Sequence, residues 1–364
     1  MSERPKLPPA RFVRALDAFR GLLLRVHRGL FPGNVVLYEH FQHFWLLPSL
    51  YVAARLDIAR HLEKEPLSAA GIAGKTGSDP GNIERLMRAL ESQGIFRRDR
   101  NGLYRLNALS RPLLEGPGSL RYMIMHHLGP VNWNLMSSLE YAVRTGRDSF
   151  SKHYGMATYE YLRQHPDEHL VFDRSMSDLS DLGLSAILSA RNFREFSTIA
   201  DIGGGEGFLL ASILRACPAS EGILFDTADA LEKAPALLER YGVTGRTRLV
   251  PGDFFDSVPL CNGLYILKNI LHNWDDNEVI RMLGNIHRVA PEGATLMIIE
   301  LVVPEGPGPS LAKLLDIQMM ATMPGGRERT AAEYRDLLRR SGFECTRITG
   351  TVSPVSLIEA RKTG

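Results

Sequence analysis

The feature that most constrains this chain is an aliphatic run that stops on glycine. Ile199-Ala-Asp-Ile-Gly-Gly-Gly-Glu-Gly-Phe places glycines at 203, 205 and 207 directly after a strand-like stretch, Thr198–Ile202. Glycine adopts left-handed backbone without a Cβ penalty and lets main chain approach a ligand closely. A strand therefore ends here and turns sharply into a helix. The dinucleotide pattern G-x-G-x-x-G fails, because counted from Gly203 it needs glycine at 208, where Phe208 stands. Further strand-like runs are Ile223–Phe225, Arg248–Val250, Gly263–Leu267, Thr295–Val303, Cys345–Ile348 and Val355–Ala360, with helical runs between most of them. Strands alternating with helices predict an α/β domain over residues 196–364, a mainly parallel, doubly wound sheet. The last two runs are close in sequence and predict an antiparallel hairpin at one edge. Ligands then sit outside the carboxyl ends of the strands.

Residues 1–195 read almost wholly as helix. Apolar residues recur at helical spacing through Phe12–Leu30 and Tyr51–Leu62. Leu67 to Gly94 reads as a short helix, a Gly/Ser/Pro turn and a longer helix. Phe96–Leu106 then reads as a β-wing around Arg100, Asn101 and Gly102. Helix-turn-helix plus wing is the winged-helix pattern. Its second helix offers Arg85 and Arg88 but also Glu84 and Glu91, and Ile83, Leu86, Met87 and Leu90 form an apolar face. That favours a scaffold or dimerisation role over DNA reading. The whole chain carries 43 Lys and Arg against 41 Asp and Glu, a net charge of +2, which lacks the electrostatic footprint of a nucleic-acid binder.

Three scattered cysteines, Cys217, Cys261 and Cys345, exclude a disulfide framework and any CxxC site, and fit a cytoplasmic protein. The apolar stretch Phe44–Ala54, interrupted by Pro48 and Ser49, is too short to span a membrane. The first thirty residues hold seven Lys or Arg, two acids and one serine. They read as an arm whose apolar face packs on a partner subunit, in preference to a targeting peptide.

Candidate site residues fall at the strand ends. Asp226 closes the second strand twenty-three positions after Gly203, a distance at which an acid can accept both ribose hydroxyls of an adenosine ligand. Asp253 and Phe254 follow the third strand, suited to an adenine amino group and ring. Either acid alone could equally be a turn cap; three strand ends in register favour a site. After strand four come Lys268, His272 and Trp274. Asp275 and Glu278 look like a capping box opening the next helix, so Asp275 and Asp276 are not read as metal ligands. Glu300 ends strand five and Glu328 lies on a Gly-Gly loop. Leu314, Leu315, Met319 and Met320 share one side of Leu311–Met323, as core or as the wall of an apolar pocket.

Over nearly its whole length the chain resembles the small-molecule O-methyltransferases that use S-adenosylmethionine. That group includes plant phenylpropanoid and flavonoid enzymes, hydroxyindole O-methyltransferases and bacterial natural-product tailoring enzymes. The resemblance rests on the winged-helix region, Phe172-Asp-Arg-Ser-Met-Ser-Asp-Leu-Ser, the glycine loop, and Lys268-x-x-x-His272-x-Trp274. It implies a class I methyltransferase (Rossmann-like) sheet with a winged-helix dimerisation domain over 1–112. A helical linker over 113–195 would contribute to the substrate pocket, a catalytic domain would cover 196–364, and the protein would be a homodimer.

The same resemblance implies that Gly203, Gly205 and Ser180 hold the methionine part of the cofactor. Asp226 would take the ribose, Asp253 and Phe254 the adenine, and Lys268 a backbone or cofactor contact. His272 matches the general base, flanked by Glu300 and Glu328. Phe172 and Met176 match the pocket for a small hydroxylated aromatic substrate; Trp274, Met319 and Met323 are expected to line it too, with no metal, nucleic acid or membrane involved. Three departures stand out. Asn273 replaces the usual Asp, Thr227-Ala228 replaces Leu-Pro, and Met323 stands where plant members often carry a polar residue.

The implied chemistry is coherent. Phenols ionise near pH ~10 and imidazole near ~6.5, so a neutral histidine can take the proton as attack proceeds. A carboxylate on the other ring nitrogen fixes the tautomer. A winged-helix regulator that senses a metabolite, or a non-methylating reaction on the same fold, remain alternatives. Base methylation is disfavoured by the lack of an Asp/Asn-Pro-Pro-aromatic run after strand four.

Overall fold

The computed structural model describes residues 10–363. The start of the basic N-terminal stretch, residues 1–9, lies outside the described residues. The chain forms two compact units. One holds Leu16–Ser137 and Tyr159–Leu182, the other Ser138–Thr158 and the chain from Gly183 onward. The segment expected as a linker, 113–195, is thus shared between the two. Its part Ser138–Thr158 joins the sheet-bearing unit, where Thr158 Oγ1 donates to the carbonyl of Thr322 at 2.6 Å.

In the helical unit the expected helix Tyr51–Leu62 is broken. One helix ends at Arg55, a second spans Ile58–Lys64, and Asp57 between them is left-handed at φ 53°. A short polar side chain tolerates that conformation. Arg121 completes the break, donating from Nε to the carbonyl of Ala54 at 3.1 Å with the Asp57 carboxylate 3.6 Å away. The helix-turn-helix spans Ala69–Thr76 and Pro80–Ser92. Ser68 and Asp79 cap the two helices by accepting from the amides of Gly71 and Asn82, and Pro80 opens the second, where its missing N–H is no loss. The wing is β1 (Arg97–Arg98) against β2 (Tyr104–Arg105), antiparallel. Ile72, Ile83, Met87, Leu90, Phe96 and Tyr104 bury this unit's core.

The other unit is built on β3 (Thr198–Ile202), β4 (Glu221–Asp226), β5 (Thr247–Pro251), β6 (Leu264–Lys268), β7 (Thr295–Val303), β8 (Arg329–Thr330), β9 (Phe343–Gly350) and β10 (Val355–Lys362). The order is β5-β4-β3-β6-β7-β10-β9, with β8 beside β7. Strands β3 to β7 are parallel, and β10 runs antiparallel to both β7 and β9. The expected terminal hairpin forms, but β10 lies inside the sheet and only β9 is at the edge. The two-residue β8 escapes the sequence because two residues carry no periodicity.

Alternate residues of each strand feed two cores, as a doubly covered sheet requires. Ile199, Leu224, Ile266 and Ile299 pack on one face with the helix Phe208–Ala216. Ile202, Phe225, Leu267 and Ile298 pack on the other with the helices Asp276–Val289 and Ala331–Arg340. The chain reverses its direction across the sheet between β3 and β6, and the carboxyl ends of these strands meet there.

Candidate active site

At that switch point the glycine loop is shaped by its neighbours. Gly203 has φ +73°, and a Cβ there would lie 2.6 Å from Cδ1 of Ile270, just beyond β6. A Cβ on Gly204 would press on Leu224 and on the Asp201 carboxylate, whereas Gly205, at φ +56°, faces open space. Asp226 at the end of β4 ties the loop down: its Oδ2 accepts from the Gly205 amide at 2.8 Å and its Oδ1 from the Thr227 amide at 2.7 Å. Burial raises its pKa.

Asp201, at the end of β3, is buried, and its Oδ2 has no hydrogen-bond partner among the described residues. Desolvation lifts its pKa to about 7, against the pull of Lys268. Lys268 at the end of β6 is brought down to about 8 by the same burial. An orphaned buried carboxylate oxygen behind an open glycine loop fits a cationic ligand group, and S-adenosylmethionine carries an ammonium and a sulfonium. Sequence reasoning missed Asp201, although it lies inside the glycine motif.

Asp253 and Phe254 follow β5. Asp253 is exposed, and its Oδ1 accepts from the Phe255 amide at 2.8 Å, so it also serves as a turn cap. Phe254 is half-buried, and its carbonyl accepts from Asn285 at 2.8 Å. Trp274 stands edge-on to Phe255, with ring centroids 4.7 Å apart, in a cluster with Phe254. Trp274 itself is half-buried.

His272 sits on a 3-10 turn, Leu271–Asn273. Its Nδ1 lies 2.8 Å from Oε1 of Glu328. The Glu328 side chain is fully buried and that of His272 is 12% exposed, so one ring edge reaches outward. The Glu328 amide donates to Asp316 at 2.8 Å, while its own Oε2 is buried without a partner among the described residues. Burial raises the Glu328 pKa. Burial alone would lower that of His272, but the bond to Glu328 and the charge of Glu300 outweigh it and raise it.

The expected pair of acids flanking the ring is divided in role. Glu300, fully buried on β7, does not hydrogen-bond the imidazole. Its Oε1 accepts from the amides of Ile270, Leu271 and His272 at 2.9, 2.6 and 3.3 Å, and Tyr334 donates to its Oε2 at 2.6 Å. Glu328 holds the ring and Glu300 holds the main chain beneath it. Sequence reasoning also missed Tyr334 and the buried Arg329. The capping box of Asp275 and Glu278 is present, as expected.

Met319 and Met323 are buried at the end of the helix Leu311–Thr322, whereas Leu314, expected on the same side as Met319, is 72% exposed. Met323 adjoins the base-bearing turn: a Cβ on Gly326 would meet the Met323 Cβ at 2.5 Å and the His272 carbonyl at 3.1 Å. Phe172, Met176 and Ser180 lie on the helix Pro166–Ala190, within the helical unit's share of it. There Phe172 packs edge-on to His126, 5.4 Å between centroids.

Comparison with known proteins agrees with this architecture. The model of the O-methyltransferase domain matches residues 136–344, and that of the O-methyltransferase dimerisation domain matches residues 38–116. The phenazine O-methyltransferase PhzM of Lysobacter antibioticus is 36% identical over 334 residues, covering 92% of this chain and 97% of the relative. The crystal structure of LaPhzM superposes with a TM-score of 0.86 at 36% identity, covering 91% of this chain and 100% of that one. NcsB1 from neocarzinostatin biosynthesis, solved with S-adenosylmethionine and 2-hydroxy-5-methyl naphthoic acid, gives a TM-score of 0.75 at 29% identity, covering 87% and 96%. The fold is that of a class I S-adenosylmethionine-dependent methyltransferase. The chain belongs to the O-methyltransferase family whose domains it matches, and its cofactor is S-adenosylmethionine. Among the described residues no helix is long and apolar enough to cross a membrane.

Proposed function

We propose that the enzyme methylates a phenolic hydroxyl of a small aromatic metabolite, with His272 as general base. The observation that carries this reading is the Nδ1 bond of His272 to buried Glu328 at 2.8 Å. A carboxylate there accepts the Nδ1 proton, leaving Nε2 with its lone pair free for a hydroxyl proton. S-adenosylmethionine, when bound, supplies an already activated methyl group. The residues of this chain then have three tasks. Gly203, Gly205, Asp226, Asp253 and Phe254, with Asp201 and Lys268 behind them, bind and orient the cofactor; His272 removes the proton; Glu328 and Glu300 keep the imidazole in place. Ser180 for the cofactor, and Phe172 and Met176 for the acceptor, are carried by the family resemblance; Trp274, Met319 and Met323 are assigned to the acceptor pocket with them. A metal has no part in this scheme.

We also propose a homodimer. The helices Ala10–Gly29 and Gly33–Arg55 expose Phe19, Leu23, Leu37, Phe41 and Trp45, an apolar face of the kind that finds a partner, and the dimerisation-domain match covers part of it. The test is methyl transfer from labelled S-adenosylmethionine to a panel of hydroxylated phenazines, naphthoates and benzoates, with EDTA present, for wild type and His272→Ala. The substitution is expected to lower kcat by roughly 10²–10⁴-fold while cofactor affinity holds. Near-full transfer by His272→Ala would remove the base from the scheme.

A further inference from the structure

The main chain around His272 is unusually complete in its bonding. The Asn269 amide donates to the Ile299 carbonyl at 3.2 Å, and the next three amides go to Glu300. The amides of Asn273 and Trp274 close the turn onto the carbonyls of Ile270 and Leu271. The Asn269 carbonyl accepts from Asn273 Nδ2 at 3.2 Å, and the His272 carbonyl from the Arg327 amide at 2.8 Å. The carbonyl end of the turn is held by Arg329. Its Nη1 donates to Leu271 at 2.9 Å and its Nη2 to Trp274 at 2.8 Å; Nε and Nη2 also donate to Asp276 at 3.0 and 2.8 Å. Arg329 is fully buried.

We infer that Arg329 is a positioning residue for methyl transfer, fixing the His272 turn from its carbonyl side as Glu300 fixes it from its amide side. This rests on His272 being the base. Four donated bonds of the guanidinium all end within residues 271–276, the stretch that carries the imidazole. An anionic acceptor under the amides and a cationic donor over the carbonyls complement the turn's own dipole at both ends. A planar fork can serve two carbonyls and a carboxylate at once, whereas an ammonium is a point donor that cannot span them. The ring's holder, Glu328, is the preceding residue, so one short run sets both where the base stands and which nitrogen it presents. Loss of the fork would let the turn shift relative to Glu328. A misplacement of about 1 Å can cost on the order of 10²-fold in rate.

The experiment compares wild type, Arg329→Lys, His272→Ala and the double variant. It reads cofactor-product affinity by calorimetry, kcat with a hydroxynaphthoic acid, and the His272 imidazole by 15N NMR in the cofactor-bound protein, assigned through His272→Gln. The expected result for Arg329→Lys is a kcat about 10- to 100-fold lower, cofactor affinity within about twofold, and a mixture of His272 tautomers where wild type shows one. In the His272→Ala background Arg329→Lys should cost nothing further. A wild-type tautomer and protonation midpoint in Arg329→Lys would overturn the inference, as would cofactor binding lost in proportion to turnover. Full turnover by His272→Ala would instead sink the base assignment, and the NMR arm would still decide whether Arg329 fixes the ring. Asp276→Ala strips two bonds from the guanidinium at a 43% exposed position; if Arg329→Lys does not fold, it carries the test, with the same signs and a smaller size.

Discussion

Replacing Glu328 with glutamine tests the ring contact with the smallest change in shape. The glutamine carbonyl can still accept from Nδ1, so the geometry survives and the charge does not. A hydrogen bond to a charged group contributes about 1.5–3 kcal/mol and a neutral one about 0.5–1.5. The difference, about 1–1.5 kcal/mol, sets a floor of about fivefold on kcat, since each decade is about 1.4 kcal/mol. Both side chains are shielded, Glu328 at 0% and His272 at 12% exposure, so losing the full 3 kcal/mol sets a ceiling near 100-fold.

The pH dependence fixes the sign. His272 has a raised pKa because Glu328 and Glu300 favour its imidazolium. The base must be neutral to act, so wild-type activity should rise with pH through that raised value. Glu328→Gln should move this acid limb to lower pH while lowering the plateau. Glu328 is itself held above its ordinary value by burial. Such a group stabilises the fold below its unfolded pKa and loses that contribution as pH rises through the folded one. The variant should therefore melt no lower than wild type at pH ~8. Steady-state rates across pH, with calorimetric melting, measure all three. An unchanged plateau, or an acid limb moved upward, would refute the reasoning.

Other outcomes follow from the same geometry. Asp226→Ala should weaken cofactor binding by roughly 10- to 100-fold in calorimetry, because a charged acceptor and two loop ties are lost together. Gly203→Ala should lower the melting temperature and cofactor affinity together, since its φ of +73° and the 2.6 Å approach to Ile270 leave no room for a methyl. Asn273→Asp adds a negative charge beside the base and removes the bond to the Asn269 carbonyl. The acid limb should move up by about one unit, read from the same pH series.

What the sequence displays and hides follows from periodicity. The five parallel strands and the helix-turn-helix were legible because their apolar patterns run for several residues and end on Gly, Pro or a capping side chain. The order of β10 and β9 was not, because which strand of a hairpin meets β7 is decided by a pairing distant in sequence; β10 makes it and is the more deeply buried of the two. The helix break at Asp57 was hidden because its cause, Arg121, is distant in sequence. His272 and Glu328 carried a readable signal through the resemblance. The reach of Glu300 to three amides did not, since a buried carboxylate reads the same whether it meets a ring or a main chain. Arg329 carried no signal of its own, because an arginine beside a loop glutamate reads the same whether it is exposed or, as here, fully buried.

The two-residue strand β8 has a consequence for engineering this protein. Its pairing sets Val302 beside Arg329 and Val303 beside Thr330, and neighbouring residues of a strand point to opposite faces. A one-residue insertion or deletion between Pro324 and Glu328 would exchange those faces, sending the imidazole's carboxylate where the guanidinium belongs. The exposed turn 305–309 ahead of the helix Leu311–Thr322 pairs with no strand among the described residues, and Lys313 of that helix donates to its Gly306 and Gly308 carbonyls. A change of loop length before that helix would disturb only the Lys313 bonds, whereas one after it would disturb the register, so attempts to widen acceptor scope by insertion belong on the first side.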